Sequence, residues 1–293
     1  MTETNLRAHV GSKIPRWHFT MLRDSGRNAA IEAAIASCDV IGKTVVEIGT
    51  GAGLPAMLFA KYGARKVFTC EMDERLADVA REVTRANNLQ DRIVVFAKSS
   101  RQAILDGDLP SAPDFIFTET LDCGVVGEGY GVIAEDIRHL AGPRTVVMPE
   151  RVQQFGFLCT DTKAFKKNSV STQCGFDLSP LNLFAERSYF AVNKMLHDPE
   201  CISATVLFRQ YDYLDPNALE SVEHRIIAHS SGLCHGMTSY FDAYFGKFLV
   251  TSRDPKSHWA TAFHPLREPV PVESGRHYYL RGTESGLIDL VSI

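Results

Sequence analysis

Two glutamates near the middle of the chain have the residue type and spacing that most clearly indicate chemistry. Glu119 and Glu128 are nine residues apart on a glycine-rich stretch that follows a short apolar run at 115–118. Paired carboxylates serve as a general acid and base, as metal ligands or as a clamp for a cation. Metal is the weakest option because no histidine or further carboxylate lies at ligand spacing here. A solvated loop with two stray charges is the alternative without function.

A glycine turn upstream predicts a nucleotide-type site. Glu47 stands two residues before the first of three alternate glycines, Gly49, Gly51 and Gly53, which let the backbone approach a ligand closely. A dinucleotide fingerprint would have its third glycine at the sixth position, which is Leu54. The acidic residue before the first glycine is instead the form seen in S-adenosylmethionine enzymes. A purely structural strand-to-helix turn is the alternative.

Three more residues follow neighbouring predicted strands. Glu71 ends the second strand roughly 20 residues after the turn, where a carboxylate can accept both hydroxyls of a ribose. Lys98 and Ser99 follow the third strand, a position near an adenine. Because a nucleotide-type site adjoins the glutamate pair, glycoside hydrolysis by two carboxylates fits poorly, and a cation clamp fits best.

Strands and helices alternate from 40 to 149, which predicts a mostly parallel, Rossmann-like sheet covered on both faces. Right-handed crossovers then place ligands at the carboxyl ends of the strands. The predicted strands are 44–48, 66–70, 93–97, 115–118 and 144–148, and the predicted helices are 54–62, 73–87 and 130–140.

After Pro149 the pattern changes to strands separated by proline, glycine and aspartate, which predicts an antiparallel β-barrel or sandwich over 150–293. One predicted strand runs over 243–251. The stretch 178–196 departs from this pattern and predicts one or two short helices, at 181–184 and 189–195.

Composition and charge argue against several classes of protein. The 293 residues are 45% apolar and 23% charged, with a net charge of -4, which disfavours disorder, coiled coil and a nucleic-acid footprint. No apolar run approaches the ~20 residues of a membrane span, and the polar start lacks the apolar core of a secretory signal. Seven scattered cysteines without a C-x-x-C pair predict reduced thiols in a cytoplasmic protein.

Four segments together resemble the protein arginine methyltransferases and follow the order of that family. They are an H-x-x-M-L-x-D-x-x-R helix at 18–27, cofactor motifs at 45–53 and Glu71, a double-E loop from Glu119 to Glu128, and a T-H-W-like loop at 257–259. The Gly-Glu-Gly ending of the double-E loop is similar to the branch that includes monomethylating members. The loop at 257–259 has serine in place of threonine, and the tyrosine pair that usually precedes the first helix is not evident at 5–14.

The resemblance implies cofactor-covering helices at 1–39, a Rossmann-like methyltransferase domain at 40–149 and a β-barrel at 150–293. It also implies a helical dimerisation arm at 178–198, and therefore a homodimer. The implied cofactor is S-adenosylmethionine, with S-adenosylhomocysteine as the product. No metal, nucleic acid or membrane is expected as a partner.

The resemblance also implies roles for site residues. Glu119 and Glu128 would hold the guanidinium of arginine, Arg27 would pair with the cofactor carboxylate, and Asp24 with His258 would form the family's Asp–His pair. The complete cofactor-binding prediction, from position and resemblance together, is His18, Met21, Arg27, Glu47, Gly49, Gly51, Gly53, Glu71, Lys98, Ser99 and Glu119. The predicted substrate contacts besides the two glutamates are Asp122 and Trp259.

The predicted reaction is an in-line methyl transfer to a terminal guanidino nitrogen. Arginine has a pKa of about 13.8 and arrives protonated, so two carboxylates can bind the cation and orient one nitrogen. Two glutamates so close should raise one another's pKa. The expected substrate is arginine in a protein or peptide. Free L-arginine in small-molecule biosynthesis is the alternative, and an inactive S-adenosylmethionine-binding scaffold is the second alternative.

Overall fold

Five short strands rich in β-branched and aromatic residues form a parallel sheet in the computed structural model, which describes residues 13–194, 198–283 and 285–293. They are β1 (Thr44–Ile48), β2 (Lys66–Cys70), β3 (Ile93–Phe96), β4 (Phe115–Thr118) and β5 (Val146–Met148). Their order, β3-β2-β1-β4-β5, confirms the predicted Rossmann-like sheet. The strand order reverses between β1 and β4, and in such sheets ligands bind at the carboxyl ends of the strands at this switch point.

Helices cover the parallel sheet, and the three predicted helices are confirmed to within a residue or two. The helices are α1 (Trp17–Leu22), α2 (Ser25–Ala36), α3 (Leu54–Lys61), α4 (Glu74–Ala86), α5 (Ser100–Leu105) and α6 (Tyr130–Leu140). Asp73 caps α4 by accepting a hydrogen bond from the Arg75 N–H, and the buried face of α4 includes Leu76 and Ala80. Of the cofactor-covering segment predicted at 1–39, residues 1–12 lie outside the described residues.

Antiparallel strands form the second half, as predicted. The strands are β6 (Arg151–Thr160), β7 (Thr172–Gln173), β8 (Phe176–Asp177), β9 (Phe190–Val192), β10 (Glu200–Cys201), β11 (Val206–Tyr211), β12 (Val222–Ile227), β13 (Gly232–Phe245), β14 (Phe248–Thr251), β15 (Thr261–Val272), β16 (His277–Gly282) and β17 (Ile288–Ser292).

These strands form two main sheets and a hairpin. A seven-stranded sheet has the order β10-β6-β13-β15-β9, with β11 paired to β6 and β14 paired to β13. A second sheet has the order β12-β16-β17. After helix α7 (Thr162–Lys167), strands β7 and β8 form a small hairpin.

Two local predictions in this half are wrong. The single strand predicted at 243–251 is the end of β13, a turn at Gly246 with a φ of +61°, and then β14. In the described part of the helix predicted at 189–195, residues 190–192 form β9 instead, which pairs with β15 in the main sheet; residue 195 lies outside the described residues. The helix predicted at 181–184 is part of one short 3₁₀ helix, Ser179–Phe184.

Aromatic side chains join the two halves in one core. Phe117 in β4 stacks on Phe245 in β13 with ring centroids 5.8 Å apart, and Trp259 belongs to the same buried cluster. The loop that contains Trp259 is therefore fixed against the carboxyl end of β4. Among the described residues, every helix is too short or too polar to cross a membrane.

Candidate active site

The glycine turn after β1 lies at the carboxyl edge of the parallel sheet. Gly49 has a φ of +81° and Gly51 a φ of +51°, in the left-handed region that favours glycine. A Cβ on Gly49 would lie 2.6 Å from Cγ2 of Thr120, whereas one on Gly51 would meet nothing within 4 Å. The loop after β4 therefore requires glycine at 49, and Gly51 faces open space. Gly53 immediately precedes α3 and serves as its N-cap.

Glu47 requires a correction, because it was predicted to bind the cofactor directly. Its side chain is 0% exposed and accepts hydrogen bonds from the Thr50 and Thr69 hydroxyls, each at 2.6 Å, and from the Ala56 N–H at 3.1 Å. Burial raises the pKa of Glu47 to about 7, and these hydrogen bonds oppose that rise. Glu47 therefore shapes the glycine turn from inside the protein and is not accessible to a ligand.

Glu71 links the glycine turn to the end of β2. One carboxylate oxygen accepts the Gly51 N–H at 2.9 Å, and the other accepts the Asp73 N–H at 3.0 Å. Each oxygen keeps a free lone pair, and the side chain is only partly buried. An acceptor pair beside an open glycine backbone fits a ribose with two hydroxyls, so the donor set suits the nucleoside part of S-adenosylmethionine.

Lys98 and Ser99 make local contacts at α5. The Lys98 ammonium donates to Asp106 at 2.6 Å and to Asp108 at 2.5 Å. The Ser99 hydroxyl accepts the Gln102 N–H at 3.3 Å and caps the helix. A contact of either residue with a cofactor stays a prediction.

Arg27 and Glu119 form a buried ion pair between α2 and the loop after β4. Arg27 Nε donates to one Glu119 oxygen at 2.7 Å and Nη2 donates to the other, while Nη1 donates to Asn28 Oδ1 at 2.8 Å. Arg27 is 5% exposed. Burial tends to lower the pKa of Arg27, but the charge of Glu119 and its hydrogen bonds raise it. Three of the five guanidinium N–H groups are thus used, and two remain for another acceptor.

Asp24 and His258 lie in direct contact although 234 residues separate them in sequence. One Asp24 oxygen accepts the Arg27 N–H, and the other is 3.0 Å from both the backbone nitrogen and Nδ1 of His258. Burial alone would raise the pKa of Asp24, but these hydrogen bonds lower it. Burial lowers the pKa of His258, although the Asp24 hydrogen bond opposes this. The imidazole is therefore neutral at neutral pH, and Nε2 is left to accept a proton.

Glu128 differs from Glu119 in having no hydrogen-bond partner among the described residues. It lies at the exposed mouth of the site, one residue before the Gly129 cap of α6. Partial desolvation raises its pKa to about 7, and the negative charges of Glu119, Asp122 and Glu71 add to the rise. The prediction that each glutamate raises the pKa of the other is thus confirmed in one direction: Glu119 raises the pKa of Glu128. Because the charges of Glu119 and Glu71 both act on Glu128, the two glutamates lie near the carboxylate that binds the glycine turn.

Asp122 is turned into the glycine hairpin, although it was predicted to contact substrate. Its Oδ1 accepts the N–H groups of Gly124 and Gly127, each at 3.1 Å, and the hydroxyl of Tyr189 at 3.2 Å. Burial raises the pKa of Asp122, and these hydrogen bonds oppose the rise. Asp122 therefore organises the hairpin that positions Glu128. Sequence reasoning missed Tyr189, because nothing in its local pattern points to a loop 67 residues away.

Three further predicted site residues, Trp259, His18 and Met21, are buried or partly buried. Trp259 is buried, donates its Nε1–H to the Leu121 carbonyl at 2.6 Å and packs against His258. In α1, His18 is buried against Trp17, with ring centroids 3.7 Å apart, while Met21 is partly buried. Burial lowers the pKa of His18, and its Nδ1 has no partner among the described residues.

The first described residue, Lys13, is attached to the start of α4. Arg75, at the start of α4, donates to the Lys13 carbonyl at 2.8 Å, and the charge of Asp73 acts on His18. The start of α4 directly follows Glu71, so α1 lies close to the predicted cofactor position. Among the described residues, no group of three or more histidine, cysteine or acidic side chains is arranged to hold a metal ion.

Comparison with known proteins adds independent information. The family profile described as "Ribosomal protein L11 methyltransferase (PrmA)" matches residues 30–117. The "Arginine N(omega)-methyltransferase" of Streptomyces achromogenes subsp. streptozoticus is 35% identical over 274 residues, which cover 92% of this chain and 76% of that protein. "Probable histone-arginine methyltransferase 1.3" of Arabidopsis thaliana is 28% identical over 302 residues, covering 92% of this chain. The chain spans only 55% of that plant relative.

A solved structure shares the fold. The Trypanosoma brucei PRMT1 enzyme–prozyme complex with AdoHcy aligns with a TM-score of 0.74 over 91% of this chain and 86% of that chain. The sequence identity is 21%, so this likeness concerns the architecture of a methyltransferase sheet followed by a barrel.

Proposed function

Because the chain belongs to the arginine N-methyltransferase family, we propose that it transfers a methyl group from S-adenosylmethionine to a terminal guanidino nitrogen of arginine. The observation that carries this proposal is the pair of unlike carboxylates after β4. Glu119 is held by Arg27, and Glu128 has no hydrogen-bond partner among the described residues. Both lie at the switch point of the parallel sheet, beside the glycine turn.

The free carboxylate of Glu128 supports recognition of a cation. A guanidinium that stays protonated at neutral pH would lower the pKa of Glu128 from about 7 and keep it ionised. Charge-assisted hydrogen bonds from the planar guanidinium to Glu119 and Glu128 would then fix the direction of one terminal nitrogen. Such alignment contributes several kcal/mol to lowering a barrier.

The residues around the glycine turn would hold the cofactor. Glu71 has acceptor capacity for the ribose, and Arg27 has two unused N–H groups for a carboxylate. When bound, S-adenosylmethionine supplies a methyl group activated by a sulfonium charge. His18 and Met21 in α1 would cover it.

A proton must leave when a protonated guanidinium gains a methyl group, because the product returns to a single positive charge. His258 is a suitable relay, since Asp24 binds its Nδ1 and the neutral ring leaves Nε2 as an acceptor. Asp24 also accepts a hydrogen bond from the backbone N–H of Arg27. Since Arg27 binds Glu119, the proton relay and the carboxylate clamp share this contact.

For the form of the substrate, we favour free L-arginine over the peptide arginine expected from the sequence. The relative that this chain matches over most of both lengths carries the name "Arginine N(omega)-methyltransferase", whereas the plant relative named for histone arginine is about twice as long as the matching region. Peptide arginine is the competing substrate.

Exposed apolar residues in and beside the described part of the stretch 178–198 support a homodimer as part of the proposal. Leu183 and Phe184, on the 3₁₀ helix, are 80% and 85% exposed, and an exposed group of large apolar residues is typical of an interaction surface. We define the arm face as Phe176, Leu178, Leu181, Leu183 and Phe184, and assign it to a second copy of this chain. The divisions at 39 and 149, and a cytoplasmic location, also stay proposals.

The deciding experiment is incubation with methyl-labelled S-adenosylmethionine and either free L-arginine or an arginine-rich peptide, with product masses as the readout. Free arginine is expected to gain the mass of a labelled methyl group in place of a hydrogen for each transfer, and the peptide is expected to gain little or none. Glu128→Gln should reduce transfer roughly a hundredfold and weaken S-adenosylmethionine binding far less. Cofactor binding without transfer to either substrate would identify an inactive scaffold.

A further inference from the structure

The ring of Tyr189 occupies a slot bounded by glycines from two loops. A Cβ on Gly124 would lie 2.2 Å from the Tyr189 ring, one on Gly127 would lie 2.7 Å from its hydroxyl, and one on Gly286 would lie 2.9 Å from the ring. Contacts under about 3 Å are not tolerated in a packed interior. Any side chain at these three positions would thus collide with the tyrosine.

The Tyr189 hydroxyl ends at the hydrogen-bonding centre of the double-E loop. It donates to Asp122 Oδ1, the same oxygen that accepts the N–H groups of Gly124 and Gly127. Three donors thus converge on one oxygen, and the hairpin between the two glutamates is closed around it. Glu128 follows Gly127 directly, so the position of this hairpin sets the position of Glu128.

Tyr189 is itself firmly held by the main sheet. It immediately precedes β9, which pairs with β15 from Phe190 to Val192. Its ring packs 5.3 Å from the ring of His264 in β15, and His264 Nδ1 lies 3.0 Å from the carbonyl of Gly286. The pairing of β9 with β15 and the contact with the His264 ring therefore leave Tyr189 little freedom to move.

We propose that Tyr189 is a positioning residue for arginine recognition, which holds the glycine hairpin through Asp122 and so fixes Glu128 opposite Glu119. Since β9 follows the arm face by only a few residues, Tyr189 also connects that face to the clamp. The role in catalysis rests on the proposed function, whereas the hold on the hairpin can be measured without turnover.

The first test compares two variants with a matched control. Tyr189→Phe removes only the hydroxyl, and Tyr189→Leu removes the ring as well. Tyr279→Phe is the control, because the Tyr279 hydroxyl makes no hydrogen bond among the described residues and lies in the other sheet. We expect the KM for arginine to rise about fivefold in Tyr189→Phe and further in Tyr189→Leu. The KM for S-adenosylmethionine and the Tm of Tyr189→Phe should match those of the control.

Hydrogen exchange of the backbone gives a readout that does not depend on activity. The amides of Gly124 and Gly127 should exchange about tenfold faster in Tyr189→Leu than in the wild type, while peptides from β13 stay unchanged. A double-mutant cycle adds a steric check. Gly124→Ala should be severely impaired alone but should add little to Tyr189→Leu, because the colliding ring is gone.

Two results would overturn this role for Tyr189. One is unchanged exchange of the hairpin amides in Tyr189→Leu. The other is a parallel loss of arginine affinity, cofactor affinity and Tm, which would indicate a general structural role. If the wild type methylates no arginine compound, the proposed function fails, and the exchange data still decide whether Tyr189 holds the hairpin.

Discussion

The raised pKa of Glu128 makes arginine methylation sensitive to pH in a defined direction. Its pKa is about 7 without substrate, and only the ionised carboxylate can bind the guanidinium as a charged pair. With a pKa of 7, the ionised fraction rises from about 10% at pH 6 to about 90% at pH 8. We therefore expect kcat/KM for arginine to increase by up to about tenfold across this range.

The cofactor changes where the inflection falls. A sulfonium charge near Glu128 would lower its pKa, so with saturating S-adenosylmethionine the inflection is expected at or below pH 7. Below the inflection, kcat/KM should fall about tenfold per pH unit. The arginine side chain stays protonated throughout, so its own titration does not contribute.

The assay measures initial rates of S-adenosylhomocysteine formation at low arginine and saturating cofactor, from pH 5.5 to 8.5. Glu128→Gln should retain a residual rate without this inflection. His258→Gln should keep the inflection, because burial lowers the pKa of His258 below its usual value. A flat wild-type profile, or an inflection that persists in Glu128→Gln, would refute the assignment of the titrating group.

Three further predictions concern stability and assembly. Burial raises the pKa of Glu47 to about 7 in the folded protein, so the unfolded chain ionises at lower pH and the free energy of unfolding falls by about 3 kcal/mol as pH rises from 4.5 to 7. In urea unfolding, Glu47→Gln should not show this loss; an equal pH dependence in both proteins would contradict the prediction. Asp24→Ala should cost about 3 kcal/mol of unfolding free energy, because it removes a helix cap and leaves two partly buried N–H donors of His258 unpaired. Asp24→Asn keeps the capping oxygen and should cost less; urea unfolding measures both. Phe184→Asp should convert a dimer to a monomer in sedimentation experiments. Leu105→Asp should not, because Leu105 is also large, apolar and exposed but lies outside the arm face. Dimers that survive Phe184→Asp would exclude the arm face as the dimer interface.

Local sequence signals were sufficient for the parallel sheet and for the residues at its edge. The glycine turn after β1 and the alternation of strand and helix are short-range patterns. The rule that ligands gather at the carboxyl ends of strands then brought Glu71 and Glu119 together. The contact between Asp24 and His258 was available only through the family resemblance, because no local pattern joins residues at opposite ends of the chain.

The predictions that failed depend on long-range packing. The position of Glu47 before the glycines predicts a residue that binds a ligand. Inside the protein, however, its carboxylate accepts hydrogen bonds from Thr50, Thr69 and Ala56. The segment 189–195 has helix-compatible spacing, but pairing with β15 makes part of it a strand. Tertiary contacts of this kind override local propensity.

The two carboxylates of the clamp have different roles, and this difference predicts that the enzyme selects a positively charged substrate. Arg27 fixes Glu119 in a buried pair, so Glu119 can orient a substrate but has little freedom to adapt. Glu128 has a pKa of about 7, so its ionised form is stabilised only when a cation arrives. Citrulline has the shape of arginine but a neutral urea group, and it cannot supply that charge. The inhibition constant of citrulline should therefore be at least about ten times the dissociation constant of arginine. This difference should shrink in Glu128→Gln. Equal affinity of the wild type for the two compounds would mean that shape, and not charge, selects the substrate.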